Sequence, residues 1–135
     1  MLVLPRVQPP DATSRERWRD TMRRTSRLQH PNIANPTEVG FQDGWPYAAY
    51  DMRGRATLAD RTPKKGLPGL EAATIVVQAL RGLAYAHEAG FAHQDLQRHL
   101  LIVDDQGQTQ ITGVSVASET PIDGDRAGRC APRPR

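Results

Sequence analysis

Cysteine occurs once in the 135 residues, as Cys130, so neither a disulfide framework nor a metal cluster built from cysteine is available, and a reducing compartment is compatible. Lysine is nearly missing as well: 16 arginines stand against Lys64 and Lys65. With abundant Ala, Gly and Pro, that bias fits a GC-rich coding sequence as well as any binding role. Aromatic residues make up only 5%, so large core anchors are few and a thin core is implied. No apolar run approaches the roughly 18 residues of a transmembrane helix. The apolar start, Met1 to Leu4, is much shorter than the apolar core of a signal peptide. A chain without a membrane segment, placed in the cytoplasm, is expected.

What is present fits one modest domain, since domains usually run to about 100 to 200 residues. The composition, 38% hydrophobic and 24% charged, is ordinary for a globular protein. Net charge is +3, with seven arginines before His30 and four after Asp125, so the excess sits at the two ends. Aromatic interleaving is missing there, and nucleic acid is not an expected partner.

Residues 1 to 13 contain Pro5, Pro9 and Pro10, which remove backbone donors and leave a loop or a frayed edge strand. Ser14 is placed to cap a helix in which Trp18, Met22, Thr25 and Leu28 recur at helical spacing, before His30-Pro31 ends the run. Ile33 to Phe41 and Tyr47 to Met52 read as two strands, and the Asp43-Gly44 pair between them suits a tight reversal. Thr57 to Arg61 forms a short helical turn, followed by an exposed connection from Pro63 to Gly69. From Glu71 to Gly90, the residues Ile75, Val76, Ala79, Leu80, Leu83 and His87 follow the spacing of a buried helical face, with Gly90 at the C-terminal cap. Leu100 to Val103 and Thr109 to Thr112 form a second hairpin around Asp104-Asp105-Gln106-Gly107. Residues 121–135 are expected to be a disordered Pro/Arg-rich tail.

This order is shared by many α+β folds, and particular residues narrow it. The run from Gln78 through His87, Gly90, His93 and Asp95 to Leu96 resembles the helix and catalytic loop of bacterial serine/threonine protein kinases. Leu28-Gln29-His30-Pro31-Asn32-Ile33 is similar to the segment after the N-lobe helix of that family. Asp43 to Asp51 is similar to the strand leading into its hinge. The resemblance spans roughly residues 15 to 118. It implies an α+β, partial protein-kinase-like fold over residues 15–120: N-lobe helix and hairpin, hinge, C-lobe helix and catalytic-loop hairpin. Residues 1–14 would be an irregular remnant of an N-lobe strand.

Phosphoryl transfer in such a fold rests on positioning and charge stabilisation. The resemblance places the acceptor-orienting carboxylate at Asp95, after His93, with Gln94 and Gln97 replacing the usual arginine and lysine. The strand lysine falls near Arg6 if Val3-Leu4-Pro5-Arg6 stands in for that strand. Its glutamate partner falls on Thr21, and no glycine-rich loop precedes Gly40. The magnesium-binding asparagine aligns with Leu100, and the metal-binding Asp-Phe-Gly triplet with Gly113-Val114-Ser115. Hard cations require oxygen ligands, and neither position supplies one. Asp104 and Asp105 read as turn residues and not as replacements. The hinge falls at Asp51 and Met52, whose backbone groups hold adenine in the family, with Tyr50 guarding the back of that pocket. Weak nucleotide binding or none is expected.

His30, His87 and His93 match no zinc spacing, so no metal site is expected. Arg23-Arg24-Thr25-Ser26 has the look of a phosphorylation target inside a helix. The expectation for function is a catalytically inactive, kinase-like binding or regulatory module, or a truncated remnant, with a protein partner and no cofactor. The alternative is a serine/threonine kinase with residual phosphotransfer through Asp95, needing ATP and magnesium.

Overall fold

The computed structural model describes residues 1–117, so the tail expected at 121–135, with Cys130, lies outside the described residues. The described chain runs β1 (Leu2–Val3), α1 (Ala12–Thr25), β2 (Glu38–Gln42), β3 (Trp45–Ala49), β4 (Arg55–Thr57), α2 (Leu58–Arg61), α3 (Gly69–Glu88), β5 (Leu101–Asp104) and β6 (Thr109–Ile111). Two antiparallel three-stranded sheets result, ordered β1-β3-β2 and β4-β5-β6.

The β2–β3 hairpin closes through Asp43 and Gly44, both at positive φ, 52° and 80°, with Gln42 opposite Trp45. Positive φ at both central residues matches the right-handed twist of the flanking strands. Pro46 sits inside the central strand, where its missing N–H would normally break a ladder. Here β1 reaches only Ala48 and Ala49, so Pro46 lies on a stretch with a partner on one side only. The first strand of the hairpin begins at Glu38 and not at Ile33; Pro36 interrupts the run, and Ile33 makes a lone parallel bridge to Ile111.

Helix α1 is capped by Asp11 and not by Ser14: the Asp11 carboxylate accepts the Ser14 N–H at 2.7 Å. That bond holds the Asp11 carboxyl below its usual range. Asp11 is in extended backbone, as an N-cap must be, while Ser14 is already helical and buried. The helix ends at Thr25, short of Leu28, where the hydroxyls of Thr25 and Ser26 both donate to the Met22 carbonyl. Thr25 is buried, which removes it as an accessible phosphorylation target. Trp18 and Met22, 2% and 1% exposed, each contribute roughly 1.5–3 kcal/mol by leaving water. The Trp18 indole packs edge-on to Phe41 at 5.5 Å and donates to the Val116 carbonyl at 3.0 Å, tying α1 to the far end of the described chain.

Helix α3 keeps part of the expected buried face, at Ile75, Ala79 and the half-buried Leu83, and departs from it elsewhere. Ile75, Ala79, Gly82 and Ala86 are buried, whereas Val76 and Leu80 are 53% and 56% exposed and His87 is exposed. The cause is close approach. A Cβ on Gly82 would lie 2.6 Å from the Asn32 carbonyl oxygen, so α3 seats Gly82 against the Asn32 backbone, with Ala79 and Ala86 in one cluster with Leu28 and Ile33 and with Leu83 packed on it. Gln78 and Asn32 lock this approach: the Gln78 amide oxygen accepts from the Asn32 side chain and the Thr109 N–H, and Asn32 also donates to the Thr109 carbonyl. Asp104 accepts from the Gln106 and Gln108 N–H groups at 2.9 Å each, the turn role expected of it.

Candidate functional site

The loop between α3 and β5 carries His93, Asp95 and Gln97, and its shape begins with the buried ring of His93. Nδ1 faces the Asp95 N–H at 3.4 Å, which leaves Nε2 to donate to the Thr112 carbonyl. Both contacts suit neutral imidazole, and burial pushes the His93 pKa down, partly opposed by the Thr112 carbonyl and the Asp95 charge. His93 therefore acts as a strut between the loop and the chain after β6.

Asp95 sits above this strut with its carboxylate engaged on both oxygens. Gln97 Nε2 donates to Oδ1 at 2.9 Å. Arg6 donates from Nε to Oδ2 at 3.0 Å and from a terminal nitrogen to Oδ1 at 3.1 Å. The Gln97 hydrogen bond and then the Arg6 hydrogen bonds hold the Asp95 carboxyl below its ordinary range. Asp95, His93, Leu100 and Gly113 line a cleft of about 300 Å³ together with Leu2 to Leu4.

Arg6 does not occupy a strand. The strand ends at Val3, Pro5 follows, and Arg6 lies in a bend from which it crosses to Asp95. The supposition that Val3-Leu4-Pro5-Arg6 is one strand is thereby corrected: only Val3 of these residues is in it.

The two positions aligned with magnesium ligands do not fit a metal. Leu100 is 5% exposed and packs in the apolar cluster that holds Val3, Trp18, Met22 and Ile102. Gly113 has no side chain, and its φ of +75° places it where a Cβ would meet Val3 at 3.3 Å. Among the described residues no group of His, Cys, Asp and Glu is arranged to hold a metal ion. Leu and Gly cannot replace oxygen donors for a hard cation, so the residues at these positions are unsuited to magnesium.

The hinge residues stand apart from the cleft. Asp51 is held by Arg53 at 2.8 Å, and this side-chain contact keeps its carboxyl at about 2. Met52 packs half-buried on the core, and its carbonyl accepts the Arg55 N–H at 3.1 Å. The backbone acceptor is thus engaged in the chain's own turn. The sequence pattern brings His93, Asp95 and Gln97 together. It gives no sign of Arg6 on Asp95, which no spacing could reveal, and it leaves out the Asn32–Gln78–Thr109 network, whose only signal is a Gln inside an apolar helical run.

No protein-family model matches the chain. Among curated proteins it is 30% identical over 93 residues to a probable serine/threonine-protein kinase of Clostridium perfringens, covering 68% of this chain and 14% of that protein. It is 28% identical over 103 residues to the serine/threonine-protein kinase PrkC of Bacillus subtilis, covering 76% and 16%. It is 30% identical over 128 residues to the tyrosine-protein kinase MasK of Myxococcus xanthus, covering 84% and 20%. The chain therefore spans between a seventh and a fifth of the length of these relatives. Two solved structures of the PknI kinase domain of Mycobacterium tuberculosis superpose with TM-scores of 0.67 and 0.68 at 25% and 27% identity. They cover 86% and 87% of this chain and 49% and 48% of those chains.

Proposed function

The chain belongs to the protein-kinase-like family, with part of that fold, and on this premise we propose that it is a catalytically inactive binding or regulatory module. The observation that carries this reading is Leu100, whose side chain is packed into the core at the position that the resemblance aligns with the family's magnesium-binding asparagine. Gly113 supports it from the second ligand position, and Thr21 from the position of the glutamate that would pair with the strand lysine. Phosphoryl transfer depends on metal-borne charge neutralisation between the phosphates, so the loss of both ligands removes that contribution rather than weakening it. Asp95 alone can orient a hydroxyl, but it has no positioned phosphate to work against.

The role that remains is recognition, with a protein partner and a cytoplasmic location in keeping with a chain that has a single cysteine. No helix among the described residues is long and apolar enough to cross a membrane. The test is thermal unfolding with and without ATP and magnesium. A ligand that binds only the folded state raises stability by RT ln(1 + [L]/Kd), so a midpoint unchanged at millimolar nucleotide is expected. A large magnesium-dependent rise would favour a serine/threonine kinase with residual phosphotransfer and sink the inactive-module reading.

A further inference from the structure

Asp95 is where two distant stretches of chain meet, since Arg6 lies 89 positions away. The contact is a two-pronged one, with separate Arg6 nitrogens on separate carboxylate oxygens at 3.0 and 3.1 Å. That fork geometry is specific to guanidinium; an ammonium offers a single point of charge. Gln97 donates to Oδ1, the oxygen that also accepts from the Arg6 terminal nitrogen, and so helps to hold the carboxylate toward the fork. The segment that carries Arg6 is stiffened by Pro5 before it and by Pro9-Pro10 after it, whose fixed φ restricts the conformations available. This segment continues from Leu2–Leu4, which line the 300 Å³ cleft, and Asp60 of α2 lines the same cleft.

The pair is closed but not locked. The Arg6 side chain is 69% exposed and that of Asp95 32%, and an exposed pair of this kind shifts an equilibrium by no more than about five-fold. We propose that Asp95 forms a guanidinium-binding site, that Arg6 is its built-in occupant, and that segment 4–8 is a strap which an arginine-bearing peptide displaces. The ligand is an arginine side chain borne by a peptide, because both carboxylate oxygens accept from a planar guanidinium fork and the pair is open to solvent. This inference does not rest on the absence of catalysis, since it is read by binding and not by phosphotransfer.

The experiment titrates the full chain, ¹⁵N-labelled, with acetyl-Gly-Arg-Gly-amide, following the amide signals of Asp95 and Gln97. The counterparts with citrulline or lysine in place of arginine serve as controls. Arg6→Gln should bind the arginine peptide about two- to five-fold more tightly than the parent chain, because the internal competitor is gone. Adding Asp95→Asn to that variant should abolish the binding, and the citrulline peptide should not bind. In Arg6→Gln the Asp95 carboxyl should also titrate at higher pH than in the parent, which verifies that the contact was present in solution. Equal affinity in the parent and Arg6→Gln, equal binding of the citrulline peptide, or binding that survives Asp95→Asn would each overturn the proposal, as would no binding to either chain.

Discussion

The Tyr50 hydroxyl accepts a hydrogen bond from the Gly113 N–H at 2.9 Å, joining the end of β3 to the segment after β6. Tyr50 is 4% exposed and packs among Val3, Trp18, Met22 and Leu100, so its ring fills the space between the two sheets. Gly113 contributes by having no Cβ, since one would press on Val3 and come within 3.7 Å of the His93 ring. The residue that guards the back of the pocket in kinases here acts as a plug whose polar tip is satisfied by backbone.

Removing that tip gives the first prediction. Tyr50→Phe keeps the ring but leaves a buried N–H without its partner, and such a group costs about 1–3 kcal/mol. Urea unfolding should show a lower midpoint with an unchanged denaturant slope, since the surface exposed on unfolding is the same. An unaltered midpoint would mean that Gly113 N–H finds water in place of the hydroxyl.

The same residue makes stability depend on alkaline pH. Burial pushes the Tyr50 pKa up to about 12, with the Gly113 hydrogen bond opposing. The folded value lies above the ordinary 10, so the neutral hydroxyl is favoured in the folded state. Its contribution is complete below pH 10 and is lost as pH rises through about 12. Phenolate absorbance should therefore show a step near pH 12 that coincides with loss of helical signal, and Tyr50→Phe should remove that step. A tyrosine titration finished by pH 10.5 would contradict the buried placement.

Leu100 provides a test of the inactive reading from the side of structure. Leu100→Asn restores the residue type that the family uses for magnesium, yet it replaces a buried apolar side chain by an amide within the core. The lost packing and the desolvated amide should together destabilise by about 2–5 kcal/mol. Isothermal titration with magnesium and ATP should still give no heat of binding, because Gly113 supplies no second ligand. Binding restored by this single change would show that the cleft was otherwise intact.

The elements are legible where local chemistry governs. Asp43-Gly44 announces its hairpin because few residue pairs tolerate positive φ twice, and Trp18, Met22 and Thr25 announce α1 by their spacing. The Asp11 cap is hidden because Ser14 is an equally good capping residue three positions on. The buried face of α3 is legible at Ile75 and Ala79 but misleading at Val76 and Leu80, where apolar size suggests burial, while Gly82 and Ala86 are buried without it. At the site, His93, Asp95 and Gln97 are neighbours in sequence and stand together in the fold. Arg6 reads as a strand residue, and its contact with Asp95 depends on how the chain returns after 89 residues, which no local pattern encodes.

Gly82 turns that lesson into a measurable contrast. In an exposed helix interior, Gly→Ala stabilises by about 1 kcal/mol. At Gly82 the new Cβ would lie 2.6 Å from the Asn32 carbonyl oxygen and 3.2 Å from its carbon, and this backbone cannot yield freely. The same carbonyl accepts the Ile111 N–H at 2.9 Å, and the Asn32 side chain holds Gln78 and Thr109. Overpacking of this sort costs about 1–3 kcal/mol, so the clash outweighs the propensity gain and Gly82→Ala should lower stability by about 1 kcal/mol net. Gly69, at the start of the same helix, has nothing within 4 Å of an added Cβ, and Gly69→Ala should be neutral or stabilising. Parallel thermal melts of the two variants decide the matter: if Gly82→Ala melts at or above the parent temperature, α3 does not approach the 30–33 segment as closely as its small residues allow.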